Sequence, residues 1–455
     1  MNLWEFVKGA LLLRPDQLIC ENGREISYAK MVSLAEDLAF YAGKHSCCAI
    51  MCSSELNAAV GLLACFAASV TAVPLSKRYG SVHCKRILDS ISPDALITDE
   101  NGSLYVLPLT DPHYTPPKKK PALIMCTSGT SGAPKGVMLT QENIIANVTD
   151  VADYFKLKYS DRMLITRPLY HCAVLTGELL TAIVRGAQVR FYSGAFDPKT
   201  ALRLVYEYGI TAFCGTPTLL SLMARFRRDL RPSPLRKIVI SGECMDKRKG
   251  LAVAAAFPEA EIHHVYGLTE ACPRVAHLPP SLFDDYADCV GLPLKSVKVK
   301  VVAESGATAK ANEAGLLWVS GPNVMSGYYN DPERTDEVLR DGWLCTGDIA
   351  EINPLGLLKI KGRADEMFIR AGMNIYPQEI ENALSADPRV REVRVKGESD
   401  ERLGTHIILS IAGDFDSVDQ VRQLCSSALP AYQTPTEIKL LDSLPKNGSG
   451  KIIRK

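Results

Sequence analysis

Hydrophobic and polar positions follow two different rhythms along this chain. Through much of it, apolar strand-like runs are succeeded by helical stretches, as in Ala122–Cys126 then Gln141–Tyr154, and Gln188–Tyr192 then Pro198–Tyr208. Alternation of this kind predicts α/β layers with crossover helices. From about Ser296 the pattern changes to short alternating strands, Val297–Val302 and Leu316–Ser320, punctuated by Gly and Pro. A small β-rich subdomain is expected there. Beyond Gly362 a compact unit begins, with a helix over Pro377–Leu384 that carries proline in its first turn, then strands over Val390–Lys396 and His406–Ile411. The expected fold class is therefore α/β. Residues 1–362 form a large N-terminal domain of layered α/β subdomains plus the β-rich subdomain, and residues 363–455 a small mobile α+β C-terminal domain. The boundary falls near Arg363–Glu366.

One stretch needs a decision before the fold class is accepted. Ala58–Leu75 contains no charged residue and reaches the lower edge of the roughly 18 apolar residues that can cross a bilayer. Gly61, Ser69, Thr71 and Pro74 interrupt it, which predicts a buried helix ending near Ala68 and a short strand, Val70–Val73. No transmembrane segment is expected. Met1–Pro15 holds Glu5 and only the short apolar run Ala10–Leu13, so it does not read as a signal peptide.

Composition narrows the class of partner. The chain has 455 residues, 47% hydrophobic and 23% charged, as in a soluble globular protein. Lys+Arg 52 against Asp+Glu 51 leaves a net charge of +1, so there is no basic excess to drive general nucleic-acid binding. Lys118–Lys120 reads as a solvated loop. The 14 cysteines are scattered without paired C-x-x-C spacing, which argues against a zinc site and for a reduced, cytoplasmic thiol set.

The strongest chemical signal is Thr127-Ser128-Gly129-Thr130-Ser131-Gly132-Ala133-Pro134-Lys135-Gly136, placed directly after the strand Leu123–Cys126. Glycines free the backbone, hydroxyls and amides can ring a phosphate, and the lysine adds a point charge. It is not a Walker A loop, because Lys135 follows Pro134 and precedes Gly136.

This loop resembles the phosphate loop of the adenylate-forming enzymes: acyl-CoA synthetases, peptide-synthetase adenylation domains and luciferases. Further matches follow in that family's order: Tyr266-Gly267-Leu268-Thr269-Glu270, Gly327-Tyr328-Tyr329-Asn330, Gly342 to Asp348, Gly362-Arg363-Ala364-Asp365, Gly372 to Glu381, and Leu444 to Lys451. Ile26-Ser27-Tyr28 and Val73-Pro74-Leu75 fit more loosely. The resemblance implies that Tyr266 stacks on adenine with Gly267 also in the cofactor site, that Thr269 touches the α-phosphate, and that Glu270 holds Mg²⁺, a hard cation suited to carboxylate oxygen. It implies that Asp348 and Arg363 clamp the ribose, and that Gly242 and Glu243, after the strand Lys237–Ser241, lie along the adenine edge. Lys451 is the implied catalytic residue, its ammonium bridging carboxylate and phosphate as charge builds at the α-phosphorus. Asp365 matches the hinge about which the small domain turns. Gly372 fits a tunnel for the acceptor thiol and Arg370 the CoA phosphates.

Two departures stand out. Glu366 follows Asp365 where many relatives carry Asp. Arg167 precedes Pro168-Leu169-Tyr170-His171 where relatives often have an apolar residue. It is read first as the partner of a nearby acid and second as a bias toward polar substrates. The chain is also shorter than many relatives between Pro74 and Thr127.

Relatives that activate amino acids place an Asp where this chain has His171, and a neutral imidazole supplies no such counter-charge. His171 is instead expected to gate the acyl and pantetheine channels. The expected pocket wall includes Ala173, Val174, Thr176, Gly215, Thr216, Pro217 and Cys272, which suits a fatty or aryl acid. The reading is an ATP-dependent, Mg²⁺-dependent acid:CoA ligase that forms acyl-AMP and pyrophosphate and then an acyl thioester. One alternative passes the acyl group to a carrier-protein phosphopantetheine, which would act in trans because the chain ends at Lys455. Another is a nucleotide-binding homologue without turnover, and it would be expected to lose Lys451, Glu270 or the phosphate loop, all of which are present.

Overall fold

The computed structural model describes residues 2–77, 81–110, 112–128, 134–194, 197–227, 232–370, 373–400, 404–430, 433–446 and 452–453. Its large N-terminal part contains two large sheets, one mainly parallel and one evenly mixed. One has nine strands in the order Leu292–Pro293, Arg274–Leu278, Glu261–Gly267, Lys237–Ile240, Ala212–Gly215, Arg162–Ile165, Gln188–Phe191, Leu18–Glu21 and Arg24–Ser27. Its central strands run parallel. The other has seven strands, with Leu123–Ser128 between Pro134–Leu139 and Thr71–Pro74.

Helices form the layer between the sheets. Ile19, Met163 and Val189 of the first sheet share one hydrophobic core with Ile50, Leu123 and Val137 of the second and with Val7, Leu63 and Val148 from helices. Local chemistry starts those helices where the sequence places them. Thr140 and Asn143 exchange hydrogen bonds in a capping box at the start of Gln141–Phe155. Asp197 caps Pro198–Glu207, whose first position is proline.

The uncharged stretch resolves as expected into the helix Glu55–Ala67 and the strand Thr71–Pro74. Almost every residue of that helix is buried, so hydrophobicity without periodicity here marks a core element. Among the described residues, no helix is long and apolar enough to cross a membrane.

The β-rich subdomain is a five-stranded antiparallel sheet built on Lys298–Val302, Gly315–Ser320 and Trp343–Ile352, with Leu358–Arg363 pairing to the last of these. A small C-terminal domain follows, and its core is drawn from its own residues, among them Ile375, Ile380, Leu384, Val395, Leu409 and Val421. Its helices include Pro377–Ser385 and Val418–Ala428. Its strands, Val390–Asp400 and Gly404–Gly413, are longer than the sequence pattern predicts. The extra length is a polar hairpin arm, with Glu398 opposite His406 and Asp400 opposite Gly404. Outside a core no hydrophobic alternation is needed, so none appears in the sequence.

Candidate active site

The parallel strands of the nine-stranded sheet end together at one edge. Arg162–Ile165 leads to Arg167 and His171, Ala212–Gly215 to Thr216, Lys237–Ile240 to Gly242, and Glu261–Gly267 to Thr269 and Glu270. The carboxyl edge of a parallel sheet is where α/β proteins place ligands, because the loops leaving it splay apart. Two glycines shape the turns there. A Cβ on Gly267 would lie 2.0 Å from the Pro273 carbonyl oxygen, and Gly242 adopts φ +92. Glu243 is tied down by Thr218, whose backbone N–H (3.2 Å) and hydroxyl (2.7 Å) both donate to its carboxylate.

The strand register brings the phosphate-loop flanks to the same place. Thr127 pairs with Lys135 across the antiparallel ladder, and Tyr328 pairs with Val137 on the far side of that ladder. Lys135 Nζ lies 5.5 Å from the Tyr328 ring centroid. Burial and the Arg334 guanidinium hold Lys135 below the usual lysine range, with Glu270 pulling the other way. Gly129, Thr130, Ser131 and Gly132, like Gly372 and Lys451, lie outside the described residues. Nothing is described of the Ser128 side chain.

Glu270 sits on the short turn Thr269–Ala271. Its Oε1 accepts a hydrogen bond from the Tyr328 hydroxyl at 2.9 Å, and its carbonyl accepts from the Met325 N–H at 2.9 Å. Tyr328 is thus a site residue that the sequence reading quoted without a role. The tetrapeptide Gly327-Tyr328-Tyr329-Asn330 contains two tyrosines, and only the register decides between them. Tyr329 turns away, stacking on Tyr114 and accepting a hydrogen bond on its hydroxyl oxygen from the Thr115 N–H at 3.0 Å.

Tyr266 donates its hydroxyl hydrogen bond to Asp348 Oδ2. Arg363 stands opposite Asp348 in the ladder, and its Nη1 lies 3.4 Å from Asp348 Oδ1 and 2.9 Å from the Thr346 carbonyl. Gly347, at φ +73, leaves room for that guanidinium, since a Cβ there would fall 2.9 Å from Arg363 Nη2. Burial raises the Asp348 carboxyl, opposed by Arg363 and by the Tyr266 hydrogen bond. Burial, reinforced by Asp348, pushes the Tyr266 phenol well up. The proton therefore stays on Tyr266 and Asp348 keeps an oriented acceptor. Arg363 Nε also donates to Asp365 at 3.2 Å.

His171 begins the helix Cys172–Val174, half-buried, its ring 4.1 Å from that of Tyr170. Thr176 links this segment to the Glu270 turn, its hydroxyl 3.0 Å from the carbonyls of both Cys172 and Cys272. Arg167 Nη2 lies 2.5 Å from Glu178 Oε1, so the first reading of Arg167, an ion-pair partner, is the observed one. Arg370 Nη1 donates to the Thr434 carbonyl at 2.8 Å. Tyr266, Glu270, Tyr328, Lys135, Asp348 and Arg363 thus form one group, and His171 with Gly242 and Glu243 occupies adjoining strand ends. No cluster of three or more His, Cys, Asp or Glu suited to hold a metal occurs among the described residues. A single carboxylate such as Glu270 fits Mg²⁺ bound mainly through phosphate oxygens and water.

Comparison with known proteins gives this geometry a family. Residues 13–329 match the AMP-binding enzyme model and residues 379–451 the AMP-binding enzyme C-terminal domain. A feruloyl-CoA synthase from Amycolatopsis is 34% identical over 341 residues, covering 73% of this chain and 68% of the relative. The indoleacetate–CoA ligase of Aromatoleum aromaticum is 34% identical over 347 residues, covering 75% and 67%. A long-chain-fatty-acid–CoA ligase from Haemophilus influenzae is 32% identical over 346 residues, covering 73% and 61%. Among solved structures, o-succinylbenzoate CoA synthetase (MenE) from Bacillus subtilis, in complex with its acyl-adenylate intermediate, shares the fold at TM-score 0.86 and 24% identity, covering 100% of this chain and 97% of that one. ATP-bound MatB from Rhodopseudomonas palustris does so at TM-score 0.85 and 24% identity, covering 99% and 97%. The chain belongs to the AMP-binding enzyme family.

Proposed function

We propose that this protein is an AMP-forming acid:CoA ligase acting on a fatty or aryl carboxylic acid. In the first step an oxygen of the acid attacks the α-phosphorus of ATP, and the bond to the β-phosphate oxygen breaks to release pyrophosphate. In the second the CoA sulfur attacks the acyl carbonyl, and the carbonyl bond to the phosphate oxygen breaks to release AMP. Adenylation makes a poor leaving group into a good one, so one pocket serves both steps.

The observation that carries this reading is the single group formed by Tyr266, Asp348 and Arg363 beside Glu270, Tyr328 and Lys135. An oriented carboxylate and a guanidinium on adjacent strands suit the paired hydroxyls of a ribose, while the lysine and the phosphate-loop flanks suit a polyphosphate. Mg²⁺ held through Glu270 would neutralise phosphate charge. Tyr328 fixes that carboxylate, Thr269 reaches the α-phosphate, and Gly242, Glu243 and Gly267 border the adenine. His171 guards the passage between acid and thiol, and Lys451 steadies the charge that develops as the acid attacks. The division at 362/363 makes the second domain a lid, turning at Asp365 to exchange Lys451 for Gly372. The CoA-ligase names of relatives at 32–34% identity support CoA as acceptor over a carrier protein, and a cytoplasmic setting accords with a soluble CoA pool.

The test is pyrophosphate release by the purified protein with ATP, Mg²⁺ and a panel of fatty, aryl and amino acids, with and without CoA. Acid-dependent release together with a CoA-dependent thioester is expected. Release without a CoA product would redirect the second step to a carrier protein, and silence with every acid would favour a binding protein without turnover.

A further inference from the structure

Behind His171 the chain passes through Cys172–Val174 into a π-helical turn, Leu175–Leu180. Wide turns of this kind concentrate at functional sites. Gly177 and Glu178, buried where His171 is half-buried, lie about 8–10 Å further along this helical segment, at ~1.5 Å of helix per residue or slightly less. Thr176, on the same turn, ties it to the Cys272 carbonyl two residues after Glu270.

At this depth one carboxylate is paired with one guanidinium and has a second within electrostatic reach. The Glu178 side chain is 1% exposed and takes Arg167 at 2.5 Å. Arg274, 2% exposed, comes to the same turn from the strand that follows Glu270. A Cβ on Gly177 would lie 3.1 Å from Arg274 Nη2, so the glycine is what lets that guanidinium lie against the helix. Burial raises the Glu178 carboxyl, opposed by Arg167 and then by Arg274, and burial likewise raises the Cys214 thiol on the neighbouring strand, which lies within reach of all three. Glu243 is also within electrostatic reach of Arg167, but it is already held by Thr218. Tyr154 lies beside Arg274, within hydrogen-bonding reach of its guanidinium, and is neutral, since burial raises its phenol to about 12.

Arg274 Nε is buried without a hydrogen-bond partner. Arginine cannot shed its proton to relieve this, and a buried donor left unmade costs on the order of 1–3 kcal/mol, more for a charged group. A second oxygen acceptor arriving with the substrate would satisfy it.

We infer that the acid activated by this enzyme carries a second oxygen group, a hydroxyl or a carboxylate, roughly 8–10 Å from the reacting carboxyl, and that Arg274 is the specificity-determining residue that receives it. The inference rests on the ligase reading and sharpens it from fatty or aryl acids in general to acids polar at the far end.

The test compares kcat/KM for pyrophosphate release by the full chain on two matched pairs: 4-hydroxycinnamate against cinnamate, and octanedioate against octanoate. At least one oxygen-bearing member should exceed its partner by about 10-fold or more, since a site built to hydrogen-bond a group rejects the analogue lacking it. Arg274→Lys, which keeps the charge and removes Nε, should narrow that ratio mainly by raising KM for the favoured acid, and Arg274→Met should bring it close to one. Equal values within both pairs, or a ratio untouched by both folded variants, overturns the inference and leaves the ligase standing. If neither variant folds, the wild-type pairs alone decide. Silence with every acid overturns the ligase reading and this inference with it.

Discussion

At the residue scale, the site divides charge between groups that are fixed and groups that act. Asp348 is held by Tyr266 and Arg363 before any ligand arrives, so little reorganisation is needed when a ribose replaces the phenol. Asp348→Ala should raise the KM for ATP by about tenfold or more, the worth of a charge-assisted hydrogen bond; an unchanged ATP KM in steady-state kinetics would remove Asp348 from the nucleotide site. Lys451→Ala should slow single-turnover acyl-AMP formation by about 10²–10³-fold while ATP affinity stays nearly constant, and a rapid-quench rate equal to wild type would end its assigned role. Much of this was legible in the sequence because short motifs carry it: Tyr266, Glu270, Asp348 and Arg363 each sit in a recognisable string. Tyr328 and Arg274 were not. Which tyrosine of a pair faces Glu270 is settled by strand register, and a buried arginine is spelled like an exposed one.

At the scale of single elements, hydrophobic pattern located strands and helices wherever one face meets a core. The helix Gln141–Phe155 and the strand Gln188–Phe191 end within a residue of expectation. Pattern failed where a core is absent, as in the polar hairpin arms around Glu398 and Asp400. Glycine positions are a separate signal with a steric cause. The turn from Glu261–Gly267 into Thr269 requires Gly267, because any Cβ would collide with the Pro273 carbonyl. Gly267→Ala should therefore cost about 1–3 kcal/mol and displace Glu270; a urea midpoint and activity both equal to wild type would contradict that account of the turn.

At the scale of the whole molecule, the two large sheets share one helical core while the small domain keeps its own, which suits a lid that turns as a unit. The large domain also carries a built-in acid sensitivity. His263 and His277 contact each other through Nδ1 and Nε2 at 2.9 Å, and His264 is buried nearby. Burial, helped by Lys237 at His263 and by His263 at His277, lowers these two to about 3, and burial lowers His264 to about 4. Folded-state values below the unfolded 6.5 mean that the unfolded chain binds more protons. The stability these rings contribute is complete above about pH 6.5 and falls as pH drops through the window from 6.5 toward 3. Each histidine removes about 1.4 kcal/mol per pH unit once well inside that window. The unfolding midpoint of the large domain should drop clearly between pH 7 and pH 5; a flat profile would show that these rings are not buried neutral.

The most direct measurement of the central claim is mass spectrometry of the reaction mixture after a single turnover, with ATP, Mg²⁺ and the preferred acid but no CoA, followed by addition of CoA. Acyl-AMP is expected in the first sample, and its conversion to acyl-CoA and AMP in the second. Acyl-CoA formed with ADP and phosphate, with no acyl-AMP at any time, would contradict it.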